Sequence, residues 1–384
     1  MVAAVRGGAA QRAVARQFRV SLATVQYWVG RAAGRRLDRV DWRDRPAGPR
    51  RAPRRTDRAL EDLVLTVRRE LREGSDLGEF GAAAIRRELL ARGTGPAPAV
   101  RTINRILERR GAFDAQRRVR RTPPPRGWYL PELAAARVDL DEFDIVCGLV
   151  IKDGPEVEVL TAIALHGGVI GAWPGTAQTA ATARAALVAH WRAWGLPAYA
   201  QFDNDTRFQG PHQHPDVIGS VSRLCLSLGV VPVFAPPRET GFQAAIESLN
   251  GRWQAKVWAR FQHESLAALQ GQSARYVAAC HARGAVRLEG APPRRPFPAD
   301  WRLDLRARPR GRLIYLRRTT AGGEAELLGR TFAVDALWPH RLVRCEVALD
   351  AQAIRFYALR RRAPEHQPLL NEVPYVLPQR RFRE

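Results

Sequence analysis

The stretch AAIESLNGRWQAKVWARF, residues 244–261, reads as a helix of Ala, Ile, Leu and Trp that carries one carboxylate, Glu247, on its apolar side. A lone acid there is costly unless a cation or a dipole answers it. Two chemistries do so: a bound metal ion, or the positive end of the helix itself. Asn250 falls one turn further along the same face, where it could position a ligand or substrate. Further acids stand in apolar surroundings elsewhere. QFDND (201–205) places Asp203 at the end of a short strand, with Asp205 either supporting it or capping the next loop. DLDEFDIV (139–146) places Asp139, Asp141 and Asp144 in or beside another strand.

Other chemistries lack their residues. There is no GxSxG, HExxH or Walker loop. His212 and His214 in HQHPD have no second ligand pair for zinc, and His166 is read as packing beside Gly167. Cys147, Cys225, Cys280 and Cys345 lie far apart without CxxC spacing and are expected as reduced thiols. No signal-peptide pattern opens the chain and no 18-residue uncharged apolar run occurs, which predicts a soluble, internal protein without membrane contact.

Lys plus Arg number 62 against 38 Asp plus Glu, a net charge of +24 over 384 residues. Such an excess predicts a polyanionic partner. The only lysines are Lys152 and Lys256, so the charge is guanidinium, the group that forks onto phosphate and stacks on bases. A GC-rich coding bias would account for Arg in place of Lys, but not for the excess itself.

The elements around these residues divide the chain. Pro- and Arg-rich linkers are expected at 41–56 and 117–128, either as cationic straps or as plain tethers, with a third break at 291–301. Before the first, QRAVARQFRVSLATVQYWVGR (11–31) sets Val14, Ala15 and Phe18 at helical spacing. A turn follows at Arg19-Val20, then a Ser21 cap and a second helix with Val25 and Trp28 inward. That predicts a helix-turn-helix domain over 1–40, offering Thr24, Gln26, Tyr27 and Arg31 to a DNA groove, with a simple helical hairpin as the alternative. Residues 56–115 predict a second helical DNA-binding domain, whose third helix, 100–111, carries Arg101, Asn104 and Arg105 opposite Ile103, Ile106 and Leu107.

From 143 the pattern changes to strand, Asp153-Gly154 hairpin, strand, strand, and then to alternating helices and strands ending in the helix of Glu247. This predicts an α/β fold of ribonuclease H type over 128–290. The acid in FDIV, the acid in QFDND, the run PPRETGFQ and IESLNGRW together resemble the catalytic core of retroviral-type integrases and related bacterial insertion-sequence transposases, the DDE enzymes, over roughly 140–290. The resemblance implies that Asp203, Glu247 and one first-strand acid hold two Mg²⁺ or Mn²⁺ ions. Asp144 is the choice for the first because it lies in the body of the strand; Asp139 is the runner-up. Glu247 follows Asp203 by 44 positions, longer than the interval usual in that family, and the extra residues are expected in a surface loop at 209–219. Arg252, Lys256 and Arg260 would continue the Glu247 helix as phosphate contacts, with Asn250 beside them.

The tail, 300–384, alternates with strand period around a Gly322-Gly323 turn and predicts a small β-barrel that serves DNA, a partner subunit or only folding. The resemblance implies a DNA transposase or integrase that cuts element ends and joins the 3′-hydroxyl to target DNA. It also implies a homo-oligomer on DNA, and a bacterial cytoplasmic location at the nucleoid. The alternatives are a non-catalytic DNA-binding regulator descended from such an enzyme and a plain nuclease.

Overall fold

The computed structural model describes residues 1–44, 56–93, 97–112, 126–211, 214–239, 241–361 and 363–379. Most of the two expected Pro/Arg linkers, and His212, lie outside these residues. The chain divides into two units, Met1–Glu61 and Asp62–Glu384. In the first, α1 (Val2–Arg6), α2 (Gln11–Gln17) and α3 (Leu22–Ala32) meet through Val14, Ala15 and Val25. The turn between α2 and α3 contains Arg19 at φ 52°, in the left-handed region, and Ser21 Oγ accepts the Thr24 N–H at 3.1 Å as the cap of α3. Phe18, expected inward, is 47% exposed: α2 ends at Gln17, so Phe18 already leaves the helical stripe.

In the second unit, which holds α4 (Arg58–Gly74) from Asp62 onward, α4, α5 (Ala82–Ala91) and α6 (Val100–Arg109) bury Val64, Val67, Ile85, Leu89, Ile103 and Ile106 together. Two residues expected on DNA are instead spent on holding this bundle. The Arg260 guanidinium donates to the carbonyls of Arg72 and Glu73 at 3.0 and 2.9 Å and also to that of Ser75, while Lys256 Nζ donates to the Gly78 carbonyl at 3.0 Å. The last carbonyls of α4 have no partner within their own helix, and a cation there also answers the helix dipole. Arg260→Ala is therefore expected to lower the unfolding free energy by about 1–2 kcal/mol. The check is a urea titration, and the salt dependence of DNA binding should stay unchanged.

After the short α7 (Pro131–Ala134) come β1 (Leu140–Val150), β2 (Glu156–Ala164) and β3 (Ile170–Gly175), antiparallel, with Asp153 at φ 58° in the β1–β2 hairpin. The chain continues through α8 (Ala180–Trp194), β4 (Tyr199–Phe202), α9 (Thr206–Gln209), α10 (Ser220–Ser227), β5 (Val231–Phe234), α11 (Ala244–Trp253) and α12 (Leu266–Glu289). Both β4 and β5 run parallel within the same sheet, β4 beside β1. A π-helical turn, Gln254–Trp258, extends α11.

The tail forms β6 (Arg312–Arg318), β7 (Glu324–Leu327), β8 (Arg330–Ala333), β9 (Leu342–Ala348), β10 (Ala353–Ala358) and β11 (Leu369–Pro374). The expected separate barrel is not what forms. Among the described residues one nine-stranded sheet runs β11-β10-β9-β6-β5-β4-β1-β2-β3, and only β7 and β8 pair apart from it. The junction is parallel pairing of β5 with β6, Val233 opposite Ile314 and Phe234 opposite Tyr315. Its physical cause is a shared core: Tyr315, Val343, Cys345 and Phe356 are buried in one cluster with Phe143, Phe202 and Phe234. A single apolar interior answers both stretches of chain. The loop 209–219, expected at the surface, is partly inside as well. Asp216 is buried, bonded by Tyr375 Oη at 3.0 Å and Arg330 Nη2 at 2.6 Å.

On the α8 side of the sheet, Asp141 is fully buried. Its Oδ2 accepts from Trp191 Nε1 at 2.9 Å and from Arg294 Nη2 at 2.5 Å. His190 lies 3.7 Å from the same oxygen, but burial lowers its pKa to about 3, so this contact is not an ion pair. Asp141→Asn would strand the Arg294 charge in the interior, and the expected cost is about 3 kcal/mol of stability. Chemical denaturation reads it; a loss well under 1 kcal/mol would contradict the assignment.

Candidate active site

Side chains alternate along a strand, so Glu142 and Asp144 share the face of β1 opposite to that of Asp141 and Phe143. This face meets α11 and its π-helical extension, whose Ile246, Leu249, Trp253 and Val257 enter an apolar cluster with Val146, Leu149, Val157 and Val159. Two bonds fix the helix to the strand. Glu142 Oε2 accepts the Ile246 N–H at 2.8 Å, and Asn250 Nδ2 donates to Asp144 Oδ2 at 2.7 Å. Asn250 Oδ1 in turn accepts from Thr161 Oγ1 at 2.7 Å, and Ile145 N–H donates to Asp144 Oδ1 at 2.9 Å. Asn250, expected as a DNA contact, is thus buried and serves Asp144.

Parallel pairing sets Glu142 opposite Gln201. Continuing that register two residues brings Asp144 level with Asp203, which follows the last residue of β4. Neighbouring strands lie about 4.8 Å apart. Asp203 Oδ1 accepts the Asp205 N–H at 3.0 Å. Asp205 does both things expected of it. It supports Asp203 through that N–H, and its side chain caps α9 by accepting the Arg207 N–H at 2.8 Å. Arg207 is held between Asp205 Oδ2 at 2.6 Å and Glu158 Oε1 at 3.0 Å.

The electrostatics of Asp144 are strongly perturbed. Burial, followed by the charges of Asp203 and Glu247, raises its pKa to about 6. No cation pairs with it among the described residues; Arg207, beside Asp203, is spent on Asp205 and Glu158. Asp203 is shifted up as well, mainly by burial and then by the Asp205 charge. Asp139, the other first-strand candidate, is differently employed: its Oδ1 accepts the Leu140 and His166 N–H groups, both at 3.0 Å, and its Oδ2 that of Gly167 at 3.3 Å. It staples the β2–β3 turn. His166 packs there as expected, its ring 2.8 Å from the Leu133 carbonyl.

Glu247 departs from expectation. It stands in the first turn of α11 but is exposed, and its carboxylate has no bonded partner among the described residues. The apolar face passes through Ile246 and Leu249, which leaves Glu247 at its edge, close enough for its charge to act on Asp144 and Glu142. Three hard carboxylates on separate elements, with no cation bonded to any of them among the described residues, fit a Mg²⁺ or Mn²⁺ donor set in chemistry. No group of three His, Cys, Asp or Glu among the described residues is drawn together tightly enough to grip an ion as it stands.

The sequence reading passed over Glu142. It is 2% exposed, with its pKa raised to about 8, chiefly by burial. Its signal was available: an acid two positions before Asp144 in an apolar strand must share that residue's face.

The remaining expected DNA contacts differ in availability. Gln26 is exposed, as is Tyr27. Thr24 is used in the cap, its Oγ1 2.8 Å from Ser21 Oγ. Arg31 donates to Tyr27 Oη at 3.3 Å and pairs with Asp41 at 3.2 Å. Arg101, Asn104 and Arg105 lie on the exposed side of α6, and Arg252 is exposed on α11. All four cysteines are free, and among the described residues no helix is long and apolar enough to cross a membrane.

No family model matches the chain, and no curated protein matches it. Among solved structures, it is similar to a chain from the simian T-cell lymphotropic virus intasome in complex with the PP2A regulatory subunit B56 gamma. That match has 14% identity and a TM-score of 0.34, covering 72% of this chain and 88% of the other. It is also similar to the catalytic core domain of BIV integrase, at 14% identity and a TM-score of 0.28, over 37% of this chain and 81% of that one.

Proposed function

We propose that the chain is a DNA transposase or integrase with a ribonuclease H-like core, which cuts element ends and joins the resulting 3′-hydroxyl to target DNA. The observation that carries this reading is the carboxylate arrangement: the parallel register of β1 and β4, which continued two residues sets Asp144 beside Asp203, with the charges of Asp203 and Glu247 acting on Asp144 and no cation paired with it among the described residues. The strand order β3-β2-β1-β4-β5 along one end of the sheet and the charge of +24 support it.

Asp144, Asp203 and Glu247 would hold the divalent ions, which when bound stabilise charge on the attacking and leaving oxygens of a phosphodiester. The chain's own residues do the positioning. Asn250 and the Ile145 N–H fix the orientation of the Asp144 carboxyl, and the Asp205–Arg207–Glu158 link holds the turn that presents Asp203. Gln26 and Tyr27 in the first unit, and Arg101, Asn104 and Arg105 in the second, are the exposed candidates for duplex DNA. Holding two ends together implies a multimer.

The first-strand assignment is tested by comparing Asp144→Asn with Asp139→Asn in Mg²⁺-dependent joining of a labelled DNA end to a plasmid. Asp144→Asn should abolish joining. Asp139→Asn should retain it at reduced thermal stability, since the latter residue bonds only backbone N–H groups. The reverse pattern would move the site to Asp139.

A further inference from the structure

Beside the carboxylates, on the side of β1 that carries Glu142, a cleft of about 410 Å³ opens between α11, β2 and the segment at 126–129. Its wall is apolar, made by Ile163, Leu165, Phe242, Ala244 and Ala245, and its rim carries Arg126, Arg252 and Arg287. The bonded partners of these three guanidiniums are carbonyls. Arg126 donates to Leu165 O at 3.2 Å, Arg252 to Ser248 O at 3.1 Å, and Arg287 to His166 O and Leu165 O, both at 2.7 Å. No carboxylate pairs with any of them among the described residues. Burial and then the charge of Arg126 push Arg287 below its ordinary range, so the cations press on one another. Glu142, the one acid lining the cleft, is bonded to the Ile246 N–H, and even ionised it would offset one charge of three.

Three guanidiniums with no bonded carboxylate among the described residues, at the mouth of an apolar slot, are complementary to one kind of ligand: a phosphate carrying a flat, weakly polar ring. The volume is that of a small-molecule site, far too narrow for a duplex. The slot also borders Ser248 and Ala245, on either side of Glu247. We propose that this cleft binds a single nucleotide of a DNA strand, drawn out of the stack, with its phosphate on Arg126, Arg252 and Arg287 and its base against Phe242 and Ile163. The proposal rests on the reading that the neighbouring carboxylates act on DNA. Unstacking one nucleotide has a cost, which charge-assisted bonds to its phosphate can offset.

The test is calorimetric titration of the full chain with deoxyadenosine 5′-monophosphate, inorganic phosphate and deoxyadenosine, without divalent ions. The monophosphate should bind at least 10-fold more tightly than either fragment. Arg252→Ala and Arg126→Ala should each weaken it about 10-fold. Arg283→Ala removes a like charge that pairs with Glu79 elsewhere and should change nothing. Equal affinity for the monophosphate and inorganic phosphate would reduce the cleft to a general anion spot and overturn the proposal, as would indifference to both rim variants. A 2-aminopurine scan of a bound duplex then distinguishes the source. A fluorescence rise at one position, lost in Arg252→Ala, marks a nucleotide of the strand, whereas monophosphate binding without any such rise marks a free-nucleotide site and overturns the strand assignment. Nucleotide binding without joining activity would sink the transposase reading and leave the cleft standing; joining without nucleotide binding would do the opposite.

Discussion

Glu247→Gln is expected to lower end joining by at least about 10³-fold while leaving DNA affinity within about twofold. The exposure of Glu247 makes this a clean experiment. Its carboxylate bonds to nothing among the described residues, so the amide removes one negative charge and no structural contact. Fold and melting temperature should stay as in the wild type. A gel-shift titration beside a joining assay separates the two quantities. Loss of both together would mean that Glu247 supports DNA binding and not the reaction; retention of both would return it to the role of an acid at a helix start.

Glu142→Gln is expected to flatten the pH dependence of stability in EDTA. Burial raises the Glu142 pKa from the ordinary 4.5 to about 8. The folded state therefore binds this proton more tightly than the unfolded chain does. The resulting stabilisation is complete below about pH 4.5 and is lost as pH rises to about 8. The loss is on the order of 4–5 kcal/mol across that window, because each tenfold difference in proton affinity between the two states is worth about 1.4 kcal/mol. Asp144, raised to about 6, adds in the same direction over the lower part of the range. The glutamine variant keeps a carbonyl oxygen to accept the Ile246 N–H and never ionises. Urea titrations at pH 5 and pH 9 should show the wild type losing most of this stability and the variant little of it. Equal losses in both proteins would place the pH-sensitive groups elsewhere.

Much of this arrangement could be read from residue types. The apolar strand ending at Asp203, the Asp153-Gly154 hairpin and the Ser21 cap follow from local patterning, because each depends on neighbours in sequence. What local patterning cannot supply is the partner. Arg260 on an exposed-looking helix face suits a phosphate and a row of helix-end carbonyls equally well, and the carbonyls that claim it belong to α4, far away in sequence. The strands of the tail alternate as a barrel's would, yet alternation specifies one buried face and not the surface that buries it. Here Phe234 and Tyr315 stack across β5 and β6 with ring centres 4.9 Å apart, and the tail extends the central sheet. Asn250 could be placed on the correct helix face, but its commitment to Asp144 and Thr161 required two strands to be in register beneath it.

The central claim, that Asp144, Asp203 and Glu247 make this chain a metal-dependent DNA-joining enzyme, is tested most directly by incubating the wild-type protein with a labelled DNA end and a supercoiled plasmid, with Mg²⁺, with Mn²⁺ and with EDTA. The expected result is covalent transfer of label to the plasmid with either ion, abolished by EDTA and by Asp203→Asn. Stable DNA binding with no transfer under either ion, or transfer that survives Asp203→Asn, would contradict it.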